Sequence, residues 1–138
     1  MKIAICTTPI RPTCTDYPPI GAMQIIQSLQ KAGHDVKFYN IDYLRPNKDE
    51  VENFFQINSF ELIGISAVVS TAYSYTKWLA ELIKRVSENT TIVVGGNLAA
   101  SAEILLRKCN VDFCVVGDGE IIIQELANAV QECVKKTI

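Results

Sequence analysis

Val93-Val94-Gly95-Gly96-Asn97 and Val111-Asp112-Phe113-Cys114-Val115-Val116-Gly117-Asp118-Gly119-Glu120 are two apolar runs that each end in closely spaced glycines. Short apolar runs bounded by turn residues read as strands buried on both faces, the kind that parallel sheets contain. Glycine just beyond such a strand lets the backbone turn with positive φ, and lets a ligand lie against the main chain without meeting a Cβ atom. In an open parallel sheet those turns are where ligands bind.

Outward from these two strands, the pattern alternates strand and helix five times. The expected strands are 2–6, 35–41, 61–66, 91–95 and 112–116. Between them, apolar residues recur at helical spacing: Ala22, Ile25, Ile26 and Leu29, then Ala72, Tyr75, Leu79, Leu82, Ile83 and Val86. The last helix has one stripe, Ile123, Leu126, Ala127, Val130, Cys133 and Val134, with Gln124, Asn128, Gln131, Glu132 and Lys135 expected to face water. Gly33 stands where a left-handed residue ends the first helix, and Asn47 with Glu50 reads as a capping box ahead of Val51, Phe54 and Phe55. The expected fold is α/β: a three-layer Rossmann-like, flavodoxin-like, doubly wound parallel five-stranded sheet of order 2-1-3-4-5. Right-handed crossovers gather the loops 7–20, 42–47, 66–71, 95–100 and 117–121 at one edge, where function is expected.

With 138 residues the chain is expected to form one domain that buries about two-thirds of its unfolded surface. A formal charge of −2, with Lys and Arg scattered, lacks the basic footprint of a nucleic-acid binder. No apolar run approaches the roughly 20 residues of a membrane span, and Lys2-Ile3-Ala4-Ile5-Cys6 opens as a strand rather than a signal peptide. Five cysteines, Cys6, Cys14, Cys109, Cys114 and Cys133, include no C-x-x-C pair, which argues against a zinc site or a disulfide framework and fits a reducing, cytoplasmic location.

The loop from Thr7 to Gly21 is long for its class and carries four of the five prolines. His34, the single histidine, follows Gly33 and so falls at the opposite edge, where an exposed turn residue is expected. That placement excludes a Ser/His/Asp triad. Asp42, ending the second strand, reads either as a ligand for a hydroxyl group or as a turn residue. Cys14 lies in the proline loop with no base near it in sequence. The glycine turns suit a phosphate or an amide-rich ligand, and Thr7 and Thr8 leave an FMN-type, flavodoxin-like site open.

Taken together, several stretches resemble the N-terminal cobalamin (vitamin B12)-binding domain of radical-SAM enzymes. They are Tyr17-Pro18-Pro19-Ile20-Gly21, Lys31 through Val36 to Asp42, Ile63-Gly64-Ile65-Ser66, Val93 to Gly96, and Val111-Asp112 through Gly117 to Glu120. The resemblance implies that residues 1–138 form a cobalamin-binding domain belonging to a longer radical-SAM protein. It implies cobalamin at the carboxyl edge, lined by Pro19, Gly21, Ser66, Val68, Ser70, Gly95, Gly96, Asn97, Gly117, Gly119 and Glu120. It implies metal-ion binding only through that cofactor, and a radical-SAM barrel partner, in cis or in trans, with methyltransferase-like chemistry.

No C-x-x-x-C-x-x-C triad is present in this chain, so the iron–sulfur cluster and S-adenosylmethionine of such an enzyme would belong to a domain outside it. Related cobalamin domains carry D-x-H-x-x-G after the first strand, and this chain has no histidine there. Asn97-Leu98 stands where many relatives have Pro-His, and Asp118 where Glu is usual. These two substitutions keep open a second reading, a non-catalytic interaction module of the same fold without the cofactor.

Overall fold

A computed structural model describes residues 1–137, with the side chains of Ser70 and of residues 134–137 outside the description. Five strands form one parallel sheet: β1 (Lys2–Thr7), β2 (Asp35–Tyr39), β3 (Leu62–Ser66), β4 (Thr91–Gly95) and β5 (Phe113–Cys114). The order is β2-β1-β3-β4-β5, as the alternation predicts. The helices are α1 (Ile20–Lys31), α2 (Ile41–Leu44), α3 (Lys48–Ile57), α4 (Tyr73–Val86), α5 (Ala102–Lys108) and α6 (Gly119–Thr137), with 3-10 turns at Ser70–Ala72 and Asn97–Ser101.

Strand residues alternate between two cores because successive side chains point to opposite faces. Ile3, Ile5, Leu62 and Val93 pack under α1 and α6 with Ala22, Leu29, Ile123 and Ala127. Ala4, Cys6, Ile63, Ile65, Ile92 and Val94 pack on the other face against Val51, Leu79, Ile83 and Leu105. Both faces are covered, which is why the central strands are apolar throughout.

Caps and ends explain the boundaries. Asn47 accepts the Glu50 amide at 2.8 Å and starts α3, and Gly33 takes φ +91° after α1. The second strand is shorter than its predicted 35–41, because Asn40 turns the chain into α2 and its side chain accepts from the Tyr43 amide and the Thr7 hydroxyl. β5 spans two residues rather than 112–116, although Asp112 and Val115 still donate to Ile92 and Val94 on β4. The last helix departs from its pattern twice. Gln124 does not face water alone, since its amide donates to the Ser28 carbonyl and hydroxyl and ties α6 to α1. Cys133 is exposed rather than part of the apolar stripe, and the Val134 side chain lies outside the described residues.

His34 sits at the amino edge as expected but is buried, 8% exposed, rather than an exposed turn residue. Its Nδ1 lies 3.4 Å from the Met1 nitrogen. Burial lowers its pKa by penalising the charged ring.

Candidate functional site

β1, β3 and β4 end in register at the carboxyl edge, with Thr7 opposite Ser66 and Ser66 opposite Gly95. Two residues deeper on the α1/α6 face, Ile5 pairs with Gly64 and Gly64 with Val93. Gly64 therefore interrupts a row of branched side chains, and the Ile5 Cδ1 atom reaches to within 2.7 Å of where its Cβ atom would stand. A cavity of about 270 Å³ opens from the edge down to this row, between the sheet and the two helices.

The cavity has two parts. Its inner wall is apolar: Ile5, Gly64, Val93, Val115, Ile123 and Ile25. Its mouth is polar, with Ser66, the glycine turns, exposed Gln24, and the acidic pair Asp118 and Glu120. Among the described residues no lysine or arginine lines it. Around the mouth, residues that follow strand ends stand exposed: Ile20, Val68, Val116 and Ile121, at 65, 41, 61 and 74%. Such an apolar rim on a polar surface marks a place where something docks.

Of the residues expected at the site, Gly21, Ser66, Val68, Gly95, Gly96, Gly117, Gly119 and Glu120 converge on the cavity. Pro19 sits just outside it as the cap of α1, and Asn97 opens a 3-10 turn away from the lining. Ser70 opens the other 3-10 turn, and its side chain lies outside the described residues.

The glycines divide by what a side chain would meet. At Gly21, Gly95 and Gly117 an added Cβ atom points into open space. At Gly96, with φ +88°, it would approach the Ala67 carbonyl oxygen at 2.6 Å, so that glycine lets the two loops abut. Leu98 donates to the same carbonyl at 3.0 Å, fixing the contact. At Gly119 it would press Ile25, where α6 crosses α1 closely.

Asp42 does not reach the cavity as a free ligand. It is buried, accepts the Ile10 amide at 3.1 Å, and pairs with Arg45 at 2.7 Å. Arg45, itself left-handed at φ +48°, also donates to the Pro12 and Thr13 carbonyls, and the pair thus pins the proline loop. Burial pushes the Asp42 pKa up, but the nearby Thr15 hydroxyl, the hydrogen bonds from Ile10 and Arg45, and the Arg45 charge outweigh it and hold the carboxyl below its ordinary value. Thr7 and Thr8 are committed as well: Thr7 donates to Asn40 and accepts from the Asp42 amide, and Thr8 donates to the Ser66 carbonyl. Neither hydroxyl is spare for a phosphate of an FMN-type ligand. Cys14 is exposed in the loop, and burial pushes the Cys6 thiol up to about 12, so Cys6 is inert core.

The inner wall escapes a reading of the sequence, because Ile5, Gly64 and Val93 meet only through register. One other signal was available. Asp16-Tyr17-Pro18-Pro19-Ile20-Gly21 keeps the first and last residues of the D-x-H-x-x-G spacing, with Pro18 in the histidine position.

Among the described residues no group of three potential metal ligands comes together, and no helix is long and apolar enough to cross a membrane. Comparison with solved structures finds this fold in a radical S-adenosylmethionine methyltransferase, TsrM from Kitasatospora setae, with TM-score 0.82 and 19% identity. The alignment covers 95% of this chain and 26% of TsrM. A second TsrM structure, described with cobalamin and a [4Fe-4S] cluster bound, aligns at TM-score 0.81 over 24% of its length. The monomethylamine corrinoid protein of Methanosarcina barkeri follows at TM-score 0.62 and 15% identity, covering 91% of this chain and 57% of that one. Protein MJ1620 of Methanocaldococcus jannaschii is 41% identical over 70 residues, 51% of this chain and 13% of that protein. The family model described as the B12 binding domain matches residues 10–127, and the chain belongs to that family.

Proposed function

We propose that this domain binds cobalamin at the carboxyl edge of its sheet, without a histidine on cobalt, and serves a radical-SAM domain in cis or in trans. The observation that carries the reading is the two-part cavity: an apolar chamber below a glycine-lined mouth, ringed by exposed apolar residues. At about 270 Å³ the chamber falls at the lower limit of roughly 300–1,000 Å³ for small-molecule sites, so it takes an appendage and not a corrin macrocycle. The macrocycle would rest on the rim of Ile20, Val68, Val116 and Ile121, and the nucleotide tail would pass between Gly95 and Gly117 into the chamber.

The donor set fits that ligand. Carboxylates accept hydrogen bonds from amide N–H groups, and a corrin carries amides around its edge; Asp118 and Glu120 stand at the mouth with no lysine or arginine among the described lining residues. Pro18 in the histidine position supplies no nitrogen, and His34 lies at the far edge. Cobalamin supplies cobalt-centred methyl or one-electron chemistry when bound. This chain's residues bind it, orient it and exclude water from one face.

Support for the radical-SAM setting comes from TsrM, whose match spans about a quarter of that chain. The same likeness is what supports a methyltransferase-like parent enzyme. The interaction-module reading draws on Asn97, which lies outside the cavity, and so loses half of its motive.

Mixing the protein with hydroxocobalamin and desalting tests the reading. Corrin absorbance should remain with the protein at one equivalent, and fall at least tenfold in Gly95→Val, whose side chain would enter the open space at the mouth from a strand position without positive φ. Absence of retained corrin in the wild-type chain contradicts the proposal.

A further inference from the structure

Three hydrogen bonds meet at Ser28, in the third turn of α1. Its hydroxyl donates to the Glu120 carbonyl at 2.6 Å, while the Gln124 side-chain amide donates to that hydroxyl at 2.7 Å and to the Ser28 carbonyl at 3.0 Å. α1 and α6 each leave the carboxyl edge after a strand, so they run in the same direction, and their apolar sides share one core. Apolar contact is non-directional and leaves two helices free to slip, whereas hydrogen bonds of this geometry fix their register.

That register has a consequence at the mouth. Residues four apart lie on one face of a helix, one turn above the other. Gln24 therefore stands one turn above Ser28 on α1, and Glu120 one turn above Gln124 on α6, both toward the edge of the sheet. Both line the mouth, Gln24 exposed and Glu120 half-buried. The two helices thus carry two polar rungs: a lower one closed by its own hydrogen bonds, and an upper one open to a ligand. Gly119 keeps them close at this level, since a Cβ atom there would press the Ile25 Cδ1 atom at 3.1 Å.

An open rung of one carboxamide and one carboxyl group suits a primary amide. Glu120 accepts one N–H, and Gln24 both accepts the other and donates to the carbonyl. A carboxylic acid in the same place, ionised at neutral pH, has no N–H to give.

We propose that Gln24 and Glu120 hold one propionamide of the corrin rim, and that Ser28 and Gln124 are positioning residues that set the spacing of this upper rung. This rests on the reading of the mouth as a corrinoid site.

Equilibrium titration well below the denaturation midpoint, where the protein is fully folded, tests it with four probes. They are hydroxocobalamin and its b-, d- and e-monocarboxylic acids, each with one propionamide hydrolysed. One of the acids should bind wild-type protein at least tenfold more weakly than hydroxocobalamin, and the other two within threefold. Glu120→Gln should cut that discrimination below threefold, because the new amide can donate to the acid. Gln124→Met, which keeps the side-chain length and loses the donor, should cut it likewise with Gln24 and Glu120 intact. Ser28→Ala gives the same readout should Gln124→Met fail to fold. Ala127→Gly, two turns further along α6 and buried, should lower the denaturation midpoint and leave the discrimination as in wild type. A merely structural role for the lower rung would give Gln124→Met that same result. Three acids that all bind alike overturn the proposal, as does full discrimination in either Glu120→Gln or Gln124→Met. Failure of wild-type protein to bind hydroxocobalamin overturns the corrinoid site itself, a result distinct from loss of discrimination.

Discussion

Asp42 accepts the amide of Ile10 at 3.1 Å, joining the turn after β2 to the long loop after β1. The loop has no regular structure of its own between β1 and α1, and this bond and the Arg45 pair, with the bonds Arg45 makes to Pro12 and Thr13, help to order it. The consequence is stability that depends on acid. Asp42 has a folded pKa below its unfolded value near 3.8, so its contribution is complete above that pH and is lost as pH falls through the folded pKa. Urea denaturation from pH 6 to pH 2 should show this loss, and Asp42→Asn should flatten that part of the profile. Because the variant leaves Arg45 partly buried without its partner charge, it should also cost about 2–4 kcal/mol at pH 7.

His34 gives a second pH dependence with a separate window. Its folded pKa is lowered, so the neutral ring is the folded form, and stability is lost as pH falls below the unfolded value of about 6.5. His34→Leu should remove the slope that begins as pH falls below about 6.5 in thermal melts. Corrin retention should be unchanged, since the residue lies at the opposite edge of the sheet.

Gly95 and Gly96 adjoin in sequence and should respond oppositely to substitution. Gly96→Ala places a Cβ atom against the Ala67 backbone at positive φ and should destabilise the fold by about 3 kcal/mol, read as a lower denaturation midpoint. Gly95→Ala meets nothing within the protein and should leave the midpoint within about 0.5 kcal/mol, while weakening corrin retention.

The thiols should separate by burial. Exposed Cys14 should react with an aromatic disulfide reagent within the native state, whereas Cys6, fully buried with its thiol pushed to about 12, should react only on unfolding. Rapid native labelling of Cys6 would place β1 elsewhere than in the sheet centre.

The sheet and its functional edge were legible because period, glycine position and connection rules all act locally. Val93-Val94-Gly95-Gly96 and Gly117-Asp118-Gly119 point to the mouth of the cavity before any contact is known. The chamber was not legible. Gly64 reads as an ordinary weak spot in a strand until register places it between Ile5 and Val93. His34 differs for a related reason: turn chemistry predicts exposure, whereas the ring is buried with its Nδ1 beside the Met1 nitrogen, 33 residues away. Asn40 shortened the second strand through side-chain bonds to Thr7 and Tyr43, the first of them 33 residues away.

The central claim is a corrin held with its tail in the chamber and no nitrogen of the protein on cobalt. Electron paramagnetic resonance of the protein reduced to the cob(II)alamin state tests it most directly, because a nitrogen ligand splits each cobalt line into three. The account predicts cobalt hyperfine lines with no nitrogen splitting, since Pro18 offers none and the base is occupied in the chamber. A three-line nitrogen splitting, from an imidazole or from the cofactor's own base, would contradict it.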